Sequence, residues 1–358
     1  MEDVLETIRS WIARPEPVAL ATIVEVERKA PRGPGAAMAV SARGEIAGSL
    51  SGGCVEPALV EAAGEVLSGS EPRLCTFGIS DDQAFGIGLS CGGTLHVFLE
   101  RVSEDSELLR ALGDALENRR AAALVTVLGS SHGSSAKTGA KLLVFESEAA
   151  SIGSSGDGAL DRALEHEARG VLARGSAERQ TVSGADVFFR SFYPPPVLYV
   201  IGAVHPAAEV CRAGKLLGFR VVVCDPRSPF ATPERLPAAD EIAREWPDAY
   251  LSRQPLGPRD AVCILTHDVK FDVPALQAAL ATPVGYVGAM GSRKTHARRV
   301  EKLKEAGVSE ESLARVSAPI GLDIGAESPA EIAIAIVAEI VARRRGRLNT
   351  TQAVSKSA

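Results

Sequence analysis

Residues 48–59 read GSLSGGCVEPAL, with Cys54 behind two glycines and two serines and Glu56 two residues on. Four readings of such a thiol are open: a small buried filler, a metal ligand, a nucleophile, or a contact to a sulfur-bearing ligand. The stretch PALVEAAGEVLSG predicts a helix that begins just after it. A thiol placed there feels the positive end of that helix, which favours the thiolate. No histidine lies nearby in sequence, so a cysteine–histidine protease pair has no support. Gly52 and Gly53 supply the turn, and Glu56 reads as a first-turn helix carboxylate. A second loop, KAPRGPG (29–35), fixes Arg32 between prolines and glycines. A guanidinium presented so rigidly suits a phosphate or a carboxylate. SCGG (90–93) sets Cys91 before two glycines, whereas Cys75, Cys211, Cys224 and Cys263 fall inside strand or helix patterns and read as core.

Further along, Gly202 follows the apolar run VLYVI, and Asp225 ends the next apolar run. That spacing, about twenty residues, lets a carboxylate reach a ribose hydroxyl. The glycine fingerprint is incomplete, because GAVHPA has Val204 and Ala207 where G-x-G-x-x-G requires glycine. This turn, with His205 in it, therefore has two readings: a site for NAD(P), or a structural strand-to-helix turn. GAMGSRKTHARR (288–299) is another glycine turn between a strand and a helix. The N–H groups of Gly291 and Ser292 at that helix start, with Arg293 and Lys294 beside them, make an anion site suited to phosphate. THD (266–268) puts His267 and Asp268 at a strand end, as a proton relay or as a loop clasp. Asp272 is expected to cap the following helix, and the glycine-punctuated PIGLDIG (319–325) is a loop beside the same crevice.

The elements that must position these groups are legible. Val4, Leu5, Ile8, Trp11 and Ile12 form one stripe of a first helix, ended by Pro15 and Pro17. VALATIVEVE alternates as a strand, and AAMAVSARGEIAGSL reads as a hairpin. The segment 18–69 then echoes itself at 122–174, with a period of about 104 residues. In this alignment Cys54 faces Ala159 and Glu56 faces Asp161. HGSSAKTG, with His132 and Lys137, stands where the first copy has its Arg32 loop, and reads as an exposed basic loop. A duplicated strand–loop–hairpin–helix unit is expected, and the fold would then not need the thiol. SFYPPP (191–196) is a stiff linker. After it, strands alternate with helices in the doubly wound α/β pattern of a Rossmann-like domain. Its last helix opens with Ser328, Pro329 and Glu331, a capping box. The expected division is an N-terminal α/β domain over 1–190 with the internal duplication, a parallel-sheet domain over 197–346, and a disordered tail over 347–358.

The totals narrow the function. The chain has 358 residues and a net charge of −6, which disfavours nucleic acid as partner. No apolar run spans a bilayer and no signal core opens the sequence, so no membrane role is expected. Six scattered cysteines without a CxxC pair exclude a zinc ribbon and accord with free thiols in a reducing cytoplasm.

APRGPGAAMAV, GSLSGGCVEPAL and LSCGGTLHVFLE resemble the N-terminal half of the XdhC/CoxI family of xanthine dehydrogenase accessory proteins. LGFRVVVCDPR, ILTHDVKFDVPAL, YVGAMGSRKTHARR and PIGLDIGAESPAEIAIAIVAEI resemble the C-terminal Rossmann domain of that family. The resemblance implies a non-enzymatic maturation factor that binds molybdenum cofactor, as molybdopterin or its dinucleotide form. It shelters the cofactor while a cysteine desulfurase supplies the sulfido ligand, then delivers it to a molybdoenzyme of the xanthine oxidase class. Cys54 carries over as the cofactor-proximal cysteine, in possible contact with molybdenum, and Gly52 and Gly53 as its turn. Gly202 and Asp225 match the start of the family's Rossmann domain, but GAV stands where many members have GAG, with His205 kept beside it. Homodimerisation accords with the family. The rival readings are an NAD(P)-dependent oxidoreductase and a sulfurtransferase with a persulfide on Cys54.

Overall fold

A computed structural model describes residues 2–14, 16–78, 93–102, 106–130, 136–146 and 151–347. Cys91, His132 and the tail 348–358 lie outside the described residues. The chain divides into two compact units, 1–194 and 195–358.

In the first unit, α1 (Glu2–Ile12) is followed by β1 (Val18–Glu27), β2 (Ala37–Ser41), β3 (Ile46–Gly48), α2 (Glu56–Leu67), β4 (Arg73–Phe77) and β5 (Thr94–Val102). The series then repeats as α3 (Glu107–Glu117), β6 (Ala122–Ser130), β7 (Lys141–Phe145), β8 (Ile152–Ser154), α4 (Gly158–Arg174), β9 (Ala177–Val182) and β10 (Ala185–Phe192). Each copy forms an antiparallel sheet, ordered β3-β2-β1-β5-β4 in the first and β8-β7-β6-β10-β9 in the second. The likeness extends to irregularities. The pairing of β1 with β5 slips at Val24, and that of β6 with β10 slips at Leu128, the equivalent residue. These bulged residues meet Phe98 and Phe188 in a small cluster at the seam between the copies. The arches match too: Gly35 N–H donates to Ile23 C=O, as Gly139 N–H does to Val127 C=O. Both glycines have positive φ, +86° and +83°, where a side chain is strained.

The copies are not independent bodies. Val4, Ile8 and Trp11 of α1 share one core with Leu109 and Leu112 of α3 and with strand residues of both sheets, among them Leu20, Leu124, Leu143 and Phe192. Each copy then closes its other sheet face with its own helix, α2 over Ile23, Met38 and Val97, and α4 over Val125, Leu142 and Phe189.

The second unit is β11 (Val197–Ile201), α5 (Ala207–Leu216), β12 (Arg220–Cys224), β13 (Glu241–Ala243), α6 (Pro247–Leu251), β14 (Ala261–Ile264), α7 (Val269–Leu280), β15 (Tyr286–Ala289), α8 (Arg293–Glu305), α9 (Glu310–Leu313), β16 (Val316–Ser317) and α10 (Pro329–Arg344). Its six strands are all parallel, ordered β13-β12-β11-β14-β15-β16. Every residue of β11, β14 and β15 is buried, as expected of strands covered on both faces. Helices α5 and α10 pack on one face, and α6, α7 and α8 on the other. The chain order reverses direction between β11 and β14, the place where folds of this kind bind ligands. The Ser328–Glu331 capping box opens α10. No helix among the described residues is long and apolar enough to cross a membrane.

Candidate functional site

The Cys54 loop is wrapped around a carboxylate. Glu56 Oε1 accepts from the N–H groups of Leu50 (3.0 Å), Ser51 (2.8 Å) and Gly52 (3.1 Å) and from Ser49 Oγ (2.7 Å). Its Oε2 accepts from Gly53 N–H (2.8 Å) and Ser51 Oγ (2.5 Å). Ser51 Oγ in turn accepts from Cys54 N–H (2.9 Å) and Val55 N–H (3.1 Å), which replaces the side-chain cap that α2 lacks at Val55. The folding of these amides onto one acid requires φ of +84° at Gly52 and +127° at Gly53. Burial pushes the Glu56 carboxyl up, but the Ser51 and Ser49 hydroxyls and the Ser51 N–H outweigh it and hold it far below the usual carboxylate range. Arg32 joins the same site, its Nη1 donating to Ser49 C=O at 2.9 Å. The structure therefore gathers Arg32, Gly52, Gly53, Cys54 and Glu56, with both Glu56 oxygens engaged in the loop itself. Cys54 is half-buried against the core beneath α2.

The second copy builds a smaller clasp, and there a second acid, Asp157, caps α4 through the N–H groups of Ala159 and Leu160. Asp161 accepts from Ser154 Oγ (2.6 Å), Ser155 Oγ (2.5 Å) and Ser155 N–H (2.7 Å). Burial raises its carboxyl and the two serines lower it further, so its shift has the same direction as that of Glu56. The sequence alignment sets Ala159, exposed, against Cys54 and Leu160, buried, against Val55, but α4 starts earlier than α2, so Ala159 and Leu160 lie in its first turn while Cys54 and Val55 precede α2. Lys137 sits in the second arch, its N–H donating to Ser155 C=O.

In the second unit, Gly202 and Asp225 meet at the carboxyl ends of β11 and β12. A Cβ on Gly202 would lie 2.4 Å from Thr266 Cγ2, so only glycine fits this turn. Asp225, 1% exposed, accepts Ala203 N–H at 2.8 Å. Its Oδ1 also takes Arg227 Nε (2.9 Å) and N–H (2.9 Å), and its Oδ2 takes Arg227 Nη2 (2.7 Å). Burial raises the Asp225 carboxyl, and the guanidinium and amides together hold it below the usual range. Both oxygens are engaged, and the carboxylate ties the β11 turn to Arg227. Arg227 is held further between Phe230 and Phe271, 4.9 and 5.8 Å from their ring centres. His205 is exposed in the turn.

The crevice continues past β14. His267 is exposed, and Asp268 caps α7 through Lys270 N–H at 3.1 Å, so the cap falls to Asp268 and not to Asp272. Pro274 misleads here. It reads as the first turn of a helix, yet α7 starts five residues earlier and tolerates the proline inside it. Asp272 is instead fully buried and paired with Arg299, also fully buried, whose Nε lies 2.9 Å from Asp272 Oδ2. Thr266 Oγ1 donates to the other oxygen of Asp272. Gly291 and Ser292 open α8 as expected: Ser292 Oγ accepts Thr295 N–H at 3.2 Å, and Arg293 and Lys294 are exposed on the first turn. Sequence reading missed Arg227 and Arg299. The signal for Arg299 was its place four residues before Leu303, on the inward face of a helix otherwise crowded with exposed cations.

Among the described residues no group of three or more potential metal ligands exists, so a resident metal has no ready cage. The described residues thus offer a thiol on a carboxylate-organised loop in one unit and a helix start with basic side chains and no acid in its first turn in the other.

Comparison with known proteins accords with this architecture. A solved xanthine dehydrogenase from Bacillus halodurans matches with a TM-score of 0.75 at 27% identity, covering 96% of each chain. A Bacillus subtilis protein, named as a probable xanthine dehydrogenase subunit, is 29% identical over 336 residues, 92% of this chain and 94% of that one. The Escherichia coli molybdenum cofactor insertion chaperone PaoD is 26% identical over 327 residues, 91% of this chain and 83% of that one. The model of the XdhC Rossmann domain matches residues 198–340, and that of the XdhC and CoxI family matches 11–78 and 115–183, one segment in each copy of the repeat. With both of its units matched in this way, the chain belongs to the XdhC and CoxI family.

Proposed function

We propose that this protein is an accessory chaperone that binds molybdenum cofactor as cargo and hands it to a molybdoenzyme of the xanthine dehydrogenase type. On this reading it shelters the cofactor while a cysteine desulfurase installs the sulfido ligand. The observation that carries the reading is a difference between two related loops. Both copies fold around a buried-side carboxylate with serine donors, yet only one places a thiol at the helix start. The second copy folds without a thiol at the aligned position, so the fold does not demand Cys54 and a role in function is favoured. A cysteine sulfur suits a soft molybdenum–sulfur centre. The names of the relatives point the same way, one being called a molybdenum cofactor insertion chaperone. Within the second unit, the Gly291, Ser292 and Arg293 turn is a separate candidate site for a phosphate. The NAD(P) alternative is disfavoured by the engagement of Asp225 with Arg227 and Ala203.

The test is anaerobic co-purification. The wild type and Cys54→Ala are incubated with freshly released cofactor, desalted, and assayed for molybdenum and pterin fluorescence. Retention by the wild type, lost in the variant, is the expected outcome. Equal retention would move Cys54 to sulfur transfer or packing, and no retention by either protein would sink the reading.

A further inference from the structure

Arg299 has five N–H donors, and the structure uses three of them. Nε and Nη2 hold Asp272 Oδ2, and Nη2 also donates to Thr266 C=O at 3.2 Å. Nη1 is buried and has no hydrogen-bond partner among the described residues. It lies directly behind the α8 turn, 3.4 Å from the position that a Cβ on Gly291 would take. Buried polar groups are nearly always hydrogen-bonded, so an unpaired guanidinium N–H buried beside a turn calls for an acceptor. Asp272 neutralises the opposite edge and fixes the plane, which leaves Nη1 as a preset donor.

The turn itself favours the same guest. The N–H groups of Gly291, Ser292 and Arg293 have no acceptor among the described residues, and they sit at the positive end of a 13-residue helix. The first turn of α8 carries Arg293 and Lys294 and no acidic residue. Gly291 has φ +129° and no Cβ, so the backbone comes close to both the guanidinium and the open side.

We infer that Arg299 Nη1 and the α8 turn form one phosphate site, in which a tetrahedral phosphomonoester accepts from the turn amides and from the buried guanidinium together. Thr266 and Asp272 are positioning residues, because they act through Arg299. The inference deepens the cofactor reading, on which it rests only for the identity of the ester; the site itself is tested with inorganic phosphate.

Phosphate is titrated into the full chain at fixed ionic strength, read by calorimetry and by the side-chain ¹⁵N resonances of Arg299, with chloride as control. Saturable binding that shifts the Arg299 signals is expected. Ser292→Asp keeps a good helix cap but adds a negative charge, and should abolish binding while the protein stays folded. Arg299→Lys should weaken binding by about tenfold or more, because one ammonium cannot serve Asp272 and phosphate in the fork geometry. Should that variant not fold, the Arg299 resonances of the wild type decide. Absence of phosphate binding, binding unchanged in Ser292→Asp, or Arg299 signals indifferent to phosphate would each overturn the site. Phosphate binding without retention of molybdenum cofactor would leave the site standing and count against the cofactor reading alone.

Discussion

Cys54 lies in the loop before α2 and is aligned in sequence with an alanine of the second copy, Ala159, so the effect of removing the thiol on stability is expected to be small. Cys54→Ala should shift the unfolding midpoint little, since the side chain is only half-buried, while cofactor retention falls. Glu56 behaves in the opposite way. Glu56→Gln removes the charge to which four amides and two hydroxyls point. With partial solvent screening, about 1–2 kcal/mol of stability should be lost at neutral pH. The folded carboxyl titrates below its unfolded value of about 4.3, so its contribution is complete above that value and disappears as pH falls toward the folded one. Urea unfolding of wild type and Glu56→Gln should therefore differ at pH 7 and converge in acid; a gap that stays constant with pH would contradict the clasp.

At the scale of elements, the buried Asp272–Arg299 pair ties α7 to α8. Asp272→Asn leaves a cation without its partner in the core and should cost about 3–5 kcal/mol, measured by denaturant unfolding. The neighbouring imidazole of His296 is held below its ordinary value by burial and then by Arg299. Its unfolded form takes up a proton near pH 6.5 while the folded form resists, so stability should decline as pH drops through that value, and His296→Gln should flatten the decline. Most elements were legible in the sequence. The apolar stripe of α1, the strand VALATIVEVE, the hairpin after it and the Ser328 capping box all lie where periodicity and caps place them. What was not legible depends on contacts distant in sequence. Asp272 looked like a cap because its local setting, two residues before a proline, resembles a helix start. Only the approach of Arg299, twenty-seven positions away, makes it a core ion. Likewise Asp225 had the spacing of a ribose acceptor, and Arg227 two residues on closes it. Glu56 and Cys54 were both visible, but not that the acid organises the loop by gathering amides from Leu50 to Gly53.

For the whole molecule, the duplicated unit and the parallel-sheet unit differ in how their parts depend on one another. The core between α1 and α3 draws side chains from both copies. A fragment ending at residue 102 would expose Val4, Ile8, Trp11 and Leu20 on one side. Such a fragment is expected to be unfolded or aggregated by circular dichroism and gel filtration, whereas residues 195–347, with a core on each sheet face, should fold cooperatively alone. A cooperatively folded first copy would refute the shared core.

The paired clasps also bear on stoichiometry. A unit with a repeated fold would ordinarily offer two equivalent berths, and a ligand binding to both would do so with statistical factors or cooperativity. Here the second berth has the frame without the reactive group, since Ala159 is the residue aligned in sequence with Cys54. Wherever the thiol is required, occupancy is capped at one per chain, and binding isotherms should follow a single hyperbola with no trace of the ancestral symmetry.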